Sequence, residues 1–173
     1  QKSYQLGKKL AGESSDYYMV ARFDLGIGAV CWRNQQIPQA RAHYEGSMSV
    51  FRRHDDRQME AQVLCNLGII DREEGKLGAA KAQYERAMKI LVDIDDQPTL
   101  RVVLNNLGDI SLMQSDSENA RTHYQSLLRL AMKVGDVRFA GSAQAGLAEV
   151  ALFAGEPEVA YGHAEDADRK SVV

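Results

Sequence analysis

The sequence predicts an all-α solenoid of antiparallel helix hairpins, on three observations. Asp16, Asp56, Asp96 and Asp136 stand 40 residues apart, and the residues between them recur in register. In each period a large apolar residue precedes a minimal one: Ile27-Gly28, Leu67-Gly68, Leu107-Gly108 and Leu147-Ala148. Twelve positions later come Ala40, Ala80, Ala120 and Ala160, and four beyond those Tyr44, Tyr84, Tyr124 and Ala164, the spacing of one helical face. A unit that recurs without drift gains stability by stacking on its neighbours, not by closing one core. The expectation is a single right-handed superhelical array over 1–173, with repeats at 16–55, 56–95, 96–135 and 136–173 and a leading half repeat.

The elements follow in order. Residues 1–15 fit the period only as a second helix, with Tyr4 in the tyrosine column and Leu10 in the column of Val50, Ile90 and Leu130. Together with the missing initiator methionine, this predicts a piece of a longer protein in which another repeat or domain covers that end. First helices are expected near 16–34, 56–74, 97–114 and 136–154, and second helices near 38–53, 77–93, 117–134 and 157–169. The aspartate column, or the Ser15, Asp55 and Asp95 column before it, is suited to cap the first helices by accepting from exposed backbone donors. Pro38, Pro98 and Pro157 fall near helix starts, where a missing N–H does no harm. Gly75 and Gly155 suit turns inside hairpins, and Gly135 a turn between them. Ala164, Ala167 and Asp168 replace bulkier residues in the last repeat, which therefore needs less apolar cover and reads as near the end of the array.

Composition excludes several function classes. The 173 residues are 45% hydrophobic, yet no apolar stretch approaches the roughly 18 residues that span a bilayer. Net charge is −3 with no block of Lys and Arg, so the footprint of a nucleic-acid binder is missing. Cys31 and Cys65 form no metal or redox motif and fit a reducing cytoplasm. His43, His123 and His163 share a column, but helices about 8–10 Å apart cannot bring three rings onto one ion at bonds of about 2 Å, so they read as surface histidines. His54 reads as solvated in its loop. The pairs Glu73-Glu74 and Asp95-Asp96 lie at helix ends, where charge is solvated. No phosphate loop, nucleophile elbow or paired zinc motif appears. No catalytic residue, metal or cofactor is expected.

The Leu-Gly pair followed by Ala-x-x-x-Tyr resembles the tetratricopeptide repeat. Its usual unit is about 34 residues, so this 40-residue variety implies longer helices. Asp24, Leu64, Leu104 and Gln144 occupy the first-helix place where that pattern carries an aromatic. The units, the Asn-Leu-Gly at 66–68 and 106–108, and the closing Gly-Leu-Ala-Glu-Val-Ala-Leu-Phe-Ala-Gly-Glu-Pro at 146–157 are similar to the helical arrays of bacterial LuxR-type and STAND signalling ATPases and transcription regulators. The same unit length also resembles the Pins-type scaffolds of animal cells.

The resemblance implies an inner wall built by the first helices. On this sequence it is lined by Leu25, Ala29, Trp32, Arg33, Asn66, Ile69, Arg72, Glu73, Asn105, Asn106, Asp109, Met113, Glu149 and Phe153. It implies a protein or peptide segment as partner, with a small-molecule inducer, a spacer role and self-association as alternatives. Asn66 and Asn106 offer amides that grip an extended backbone or else bond to a nearby helix. Trp32 serves either as a binding anchor or as filler against a preceding repeat. Leu25 and Ala29 stand where arrays that clamp a chaperone's terminal carboxylate carry Lys and Asn, which argues against that partner.

Overall fold

The computed structural model describes residues 2–13 and 16–171; Ser15, one of the alternative cap residues, lies outside them. They form two compact units, Gln1–Ile94 and Asp95–Val173. The first holds α1 (Lys2–Glu13), α2 (Tyr17–Arg33), α3 (Ile37–Arg53), α4 (Arg57–Glu73) and α5 (Leu77–Asp93). The second holds α6 (Gln97–Met113), α7 (Ser117–Val134), α8 (Val137–Phe153) and α9 (Pro157–Ser171). No strand occurs among the described residues, and the sequence-based helix bounds agree to within about two residues.

Aspartate caps start the first helices. Asp16, Asp56, Asp96 and Asp136 each accept the backbone N–H three residues on, at 3.0–3.2 Å, from Met19, Met59, Thr99 and Phe139. Asp116 does the same for α7 through Asn119, a cap not foreseen from the period. The alternative column is corrected: Asp55 and Asp95 sit at φ of 52° and 54° and close the preceding helices instead. The same left-handed closure recurs at Gln35, Gly75, Ser115, Gly135 and Gly155. After each of these the next N–H returns to a carbonyl five residues back, as from Gln36 to Cys31 at 2.9 Å and from Lys76 to Asp71 at 2.8 Å. One turn geometry repeated at every hairpin keeps the 40-residue period constant.

Within the hairpins α2–α3, α4–α5 and α6–α7 a tyrosine of the second helix lies on a glycine of the first. A Cβ at Gly28 would stand 2.6 Å from the Tyr44 ring, at Gly68 2.9 Å from Tyr84, and at Gly108 2.5 Å from Tyr124. The glycine column therefore lets the helices close, and it leaves Tyr44, Tyr84 and Tyr124 no more than 2% exposed. Ile27, Leu107 and the alanines at 40, 80 and 120 are fully buried beside them. Burial of an aliphatic side chain of that size contributes about 1.5–3 kcal/mol, so each hairpin's apolar seam is its main source of stability.

Polar bridges join successive hairpins inside unit 1. Arg41 of α3 reaches Asp71 of α4 at 2.7 Å and Glu74 at 2.8 Å. Arg52 pairs with Glu60 at 2.8 Å. In unit 2, Arg101 of α6 lies 3.2 Å from the cap residue Asp136 of α8.

Candidate functional site

The inward stripes of α2 and α4 form a cleft of about 490 Å³ in unit 1. Met19, Arg22, Phe23, Leu25, Gly26 and Ala29 recur at three- and four-residue steps along α2, and Met59, Gln62 and Asn66 along α4, so each set shares one helical face. Tyr4 of α1 completes the wall. Glycines hold the aromatic walls in place: the Tyr4 ring covers Gly26, and the Phe23 ring covers Gly7. The floor is apolar, and its polar groups are one guanidinium and two amides.

Unit 2 has a cleft of about 360 Å³ between α6, α7 and α8, lined by Asp109, Leu112, Met113, Tyr124, Glu149 and Phe153. Tyr124 donates its phenol to Oδ1 of Asp109 at 2.7 Å, and Asn105 donates to Oδ2 at 3.2 Å. Burial first, then the hydrogen bond and charge of Asp109 and the charge of Glu149, push the Tyr124 phenol well above its ordinary range. A broader hollow, about 610 Å³, lies where Gly141, Ser142 and Ala145 of α8 face Ala167 and Asp168 of α9.

Of the residues selected from sequence, Leu25, Ala29 and Asn66 meet in the first cleft, and Asp109, Met113, Glu149 and Phe153 in the second. Trp32 and Glu73 meet elsewhere: the indole N–H donates to Oε2 of Glu73 at 2.9 Å. Trp32 therefore leans forward onto α4, which corrects its reading as filler against a preceding repeat. Arg33 is exposed at the end of α2, while Ile69 and Arg72 are half-buried on α4 outside the cleft lining. Asn66 accepts from Gln62 at 3.3 Å, and Asn106 donates to the Val102 carbonyl at 3.0 Å. Each amide thus has a bond along its own helix, as Asn side chains commonly do.

A family model described as tetratricopeptide repeat matches residues 19–91. Residues 19–91 carry tetratricopeptide repeats. Solved structures extend the likeness beyond that segment. BtubC (BKLC) from P. vanneervenii is similar at a TM-score of 0.81 and 18% identity, over 89% of this chain and 64% of BtubC. A putative kinesin light chain of nearly identical TPR-like repeats from Podospora anserina gives 0.77 and 11% over 97% of this chain and 83% of that one. MamA gives 0.72 and 14% over 97% and 86%. At these identities the likeness is one of fold. The chain spans less than two thirds of the length of BtubC. No curated protein sequence matches it.

Two histidines of the shared column, His43 and His163, are half-buried and make polar pairs across their hairpins. Nδ1 of His43 lies 2.7 Å from Oδ1 of Asp24, an oxygen that also accepts Lys8 Nζ at 2.6 Å. His163 lies 2.6 Å from Gln144 Oε1. Asp24 and Gln144 occupy the column that Leu64 and Leu104 fill with buried apolar groups, so a polar pair replaces an apolar contact there. His54 is exposed and places its ring 5.2 Å from that of Tyr18. Among the described residues no three metal-ligating side chains cluster, and no helix is long and apolar enough to cross a membrane.

Sequence reasoning missed Tyr4, Met19, Phe23, Met59 and Tyr124 as cleft walls. The available signal was the column Gly26, Asn66, Asn106, Gly146, two residues before the small-residue column. Its two glycines lie under the rings of Tyr4 and Tyr124.

Proposed function

We propose that this chain is a non-catalytic protein-interaction module that holds a peptide or helical segment of a partner, as part of a larger cytoplasmic regulatory protein. The observation that carries it is the open cleft of unit 1, which half-buried Met19, Phe23, Leu25 and Met59 line beside Arg22, Gln62 and Asn66. Apolar walls with a few convergent polar groups recognise an apolar side chain and the backbone that bears it. The family supports this reading, since tetratricopeptide repeats generally serve as protein-binding scaffolds. The unbroken 40-residue period through Ile94 and Asp95 supports reading both units as parts of one array. A small-molecule inducer fits less well, because both clefts are open rather than enclosed.

Panning a displayed random-peptide library against the chain tests the reading. Enriched peptides are expected to lose affinity on Arg22→Glu or Glu149→Lys, both exposed positions, with helix content unchanged. No enrichment above an unrelated helical protein would contradict it.

A further inference from the structure

The two units differ in charge. Gln1–Ile94 carries 14 Lys and Arg against 12 Asp and Glu, a balance of +2, whereas Asp95–Val173 carries 7 against 12, a balance of −5. The clefts follow suit. Arg22 is the charged group lining the cleft of unit 1, while Asp109 and Glu149 line that of unit 2, where no described lining residue is Lys or Arg.

Asp109 accepts hydrogen bonds on both carboxylate oxygens, from Tyr124 and from Asn105. Glu149 reaches the same neighbourhood from α8, since its charge acts on the same phenol. Two carboxylates from different helices thus converge beside one buried ring. Around them stand large apolar groups turned to solvent: Met113 is 59% and Phe153 69% exposed. An acidic centre inside an apolar rim complements a cation flanked by apolar groups. Low-dielectric walls strengthen the attraction, and an aromatic face adds to it.

We propose that the cleft between α6, α7 and α8 docks a partner protein segment that sets a Lys or Arg side chain among apolar ones. The cation reaches Asp109 and Glu149, and its apolar neighbours lie on Leu112, Met113 and Phe153. This rests on the interaction-module reading and narrows the partner's chemistry. An acidic or phosphorylated segment meets like charge and is rejected, and a free amine leaves the apolar rim uncovered.

The test uses fluorescence anisotropy with the whole chain and short, acetylated, leucine-flanked peptides that differ only in a central Lys, norleucine or Glu. The Lys peptide is expected to bind about tenfold tighter than the norleucine peptide and tighter again than the Glu peptide. Added salt should weaken it. Glu149→Gln should remove about tenfold of the Lys preference, and Glu149→Lys should reverse the ranking. Equal binding of Lys and Glu peptides, an unchanged ranking in Glu149→Lys, or full displacement by lysine amide at matched concentration each overturns the proposal. Binding lost on Arg22→Glu but untouched by Glu149→Lys overturns it and leaves the module reading intact. Binding of no peptide overturns both.

Discussion

Tyr18 of α2 donates its phenol to Oδ2 of Asp56 at 2.5 Å, while Oδ1 of the same carboxylate accepts the Met59 N–H at 3.0 Å and starts α4. One side chain therefore caps its own helix and ties it to the hairpin before. The hydrogen bond to Asp56, followed by desolvation, holds the Tyr18 phenol above its ordinary range. Asp56→Ala should cost about 1–2 kcal/mol for the lost cap, and Tyr18→Phe about 0.5–1.5 kcal/mol. The two should be non-additive, because removing either ends the same bond. Urea unfolding of both single variants and the double gives the coupling, and strict additivity would mean that the bond contributes nothing.

Tyr124 is caught between two glycines, since a Cβ at Gly108 would stand 2.5 Å from its ring and one at Gly146 would overlap it as well. Gly108→Ala and Gly146→Ala should each destabilise by about 1–3 kcal/mol through overpacking. Gly46, inside α3 with nothing within 4 Å of a Cβ, has no such partner. Gly46→Ala should therefore stabilise by about 0.5–1 kcal/mol through helix propensity. Thermal melting of the three variants reads this directly, and a common sign for all three would contradict the packing account.

Asp71 is 3% exposed, and its carboxylate meets Arg41 at 2.7 Å. Arg41→Ala should cost about 3–5 kcal/mol, because it strands a buried charge. Asp71→Ser, the residue that stands at the equivalent Ser111, should cost much less in the Arg41→Ala background than in the wild type. A denaturant series in which Asp71→Ser is equally harmful in both backgrounds would show that the pair is not coupled.

The fold was legible because it is written in columns: the same large, small and aromatic residues recur at Ile27, Gly28, Ala40 and Tyr44 and at their 40-residue counterparts, and stacking demands just those contacts. The caps were half legible. Asp and Ser favour both a cap and a left-handed turn, so Asp55 and Asp56 could not be told apart without φ, which is 52° at the first. The site was read least well. First-helix spacing selected Leu25, Ala29 and Asn66, which line the cleft of unit 1, and Asp109 and Glu149, which line that of unit 2. The walls contributed by α1 and α7, Tyr4 and Tyr124, depend on which glycine each ring overlies, and that pairing joins positions 22 residues apart with no local pattern. Trp32 misled for a related reason, as its spacing gives the helix face but not the direction in which the indole leans.

Burial, with a smaller effect from Cys31 and an opposing one from Arg33, pushes the Tyr44 phenol up from 10.0 to about 12. A raised acid keeps its proton longer when folded than when unfolded, so between those values the native state binds more protons and stability falls as pH rises. The contribution is fully present below pH 10, the unfolded value, and is lost as pH climbs towards about 12. A shift of this size corresponds to a loss on the order of 2 kcal/mol. Tyr44→Phe cannot ionise, so its melting temperature should decline less steeply than the wild type's across the same alkaline range. Tyr124→Phe should flatten the profile further, since that phenol is raised by burial too. Parallel alkaline profiles for wild type and both variants would show that these rings titrate freely, and hence that the tyrosine-on-glycine seams admit water.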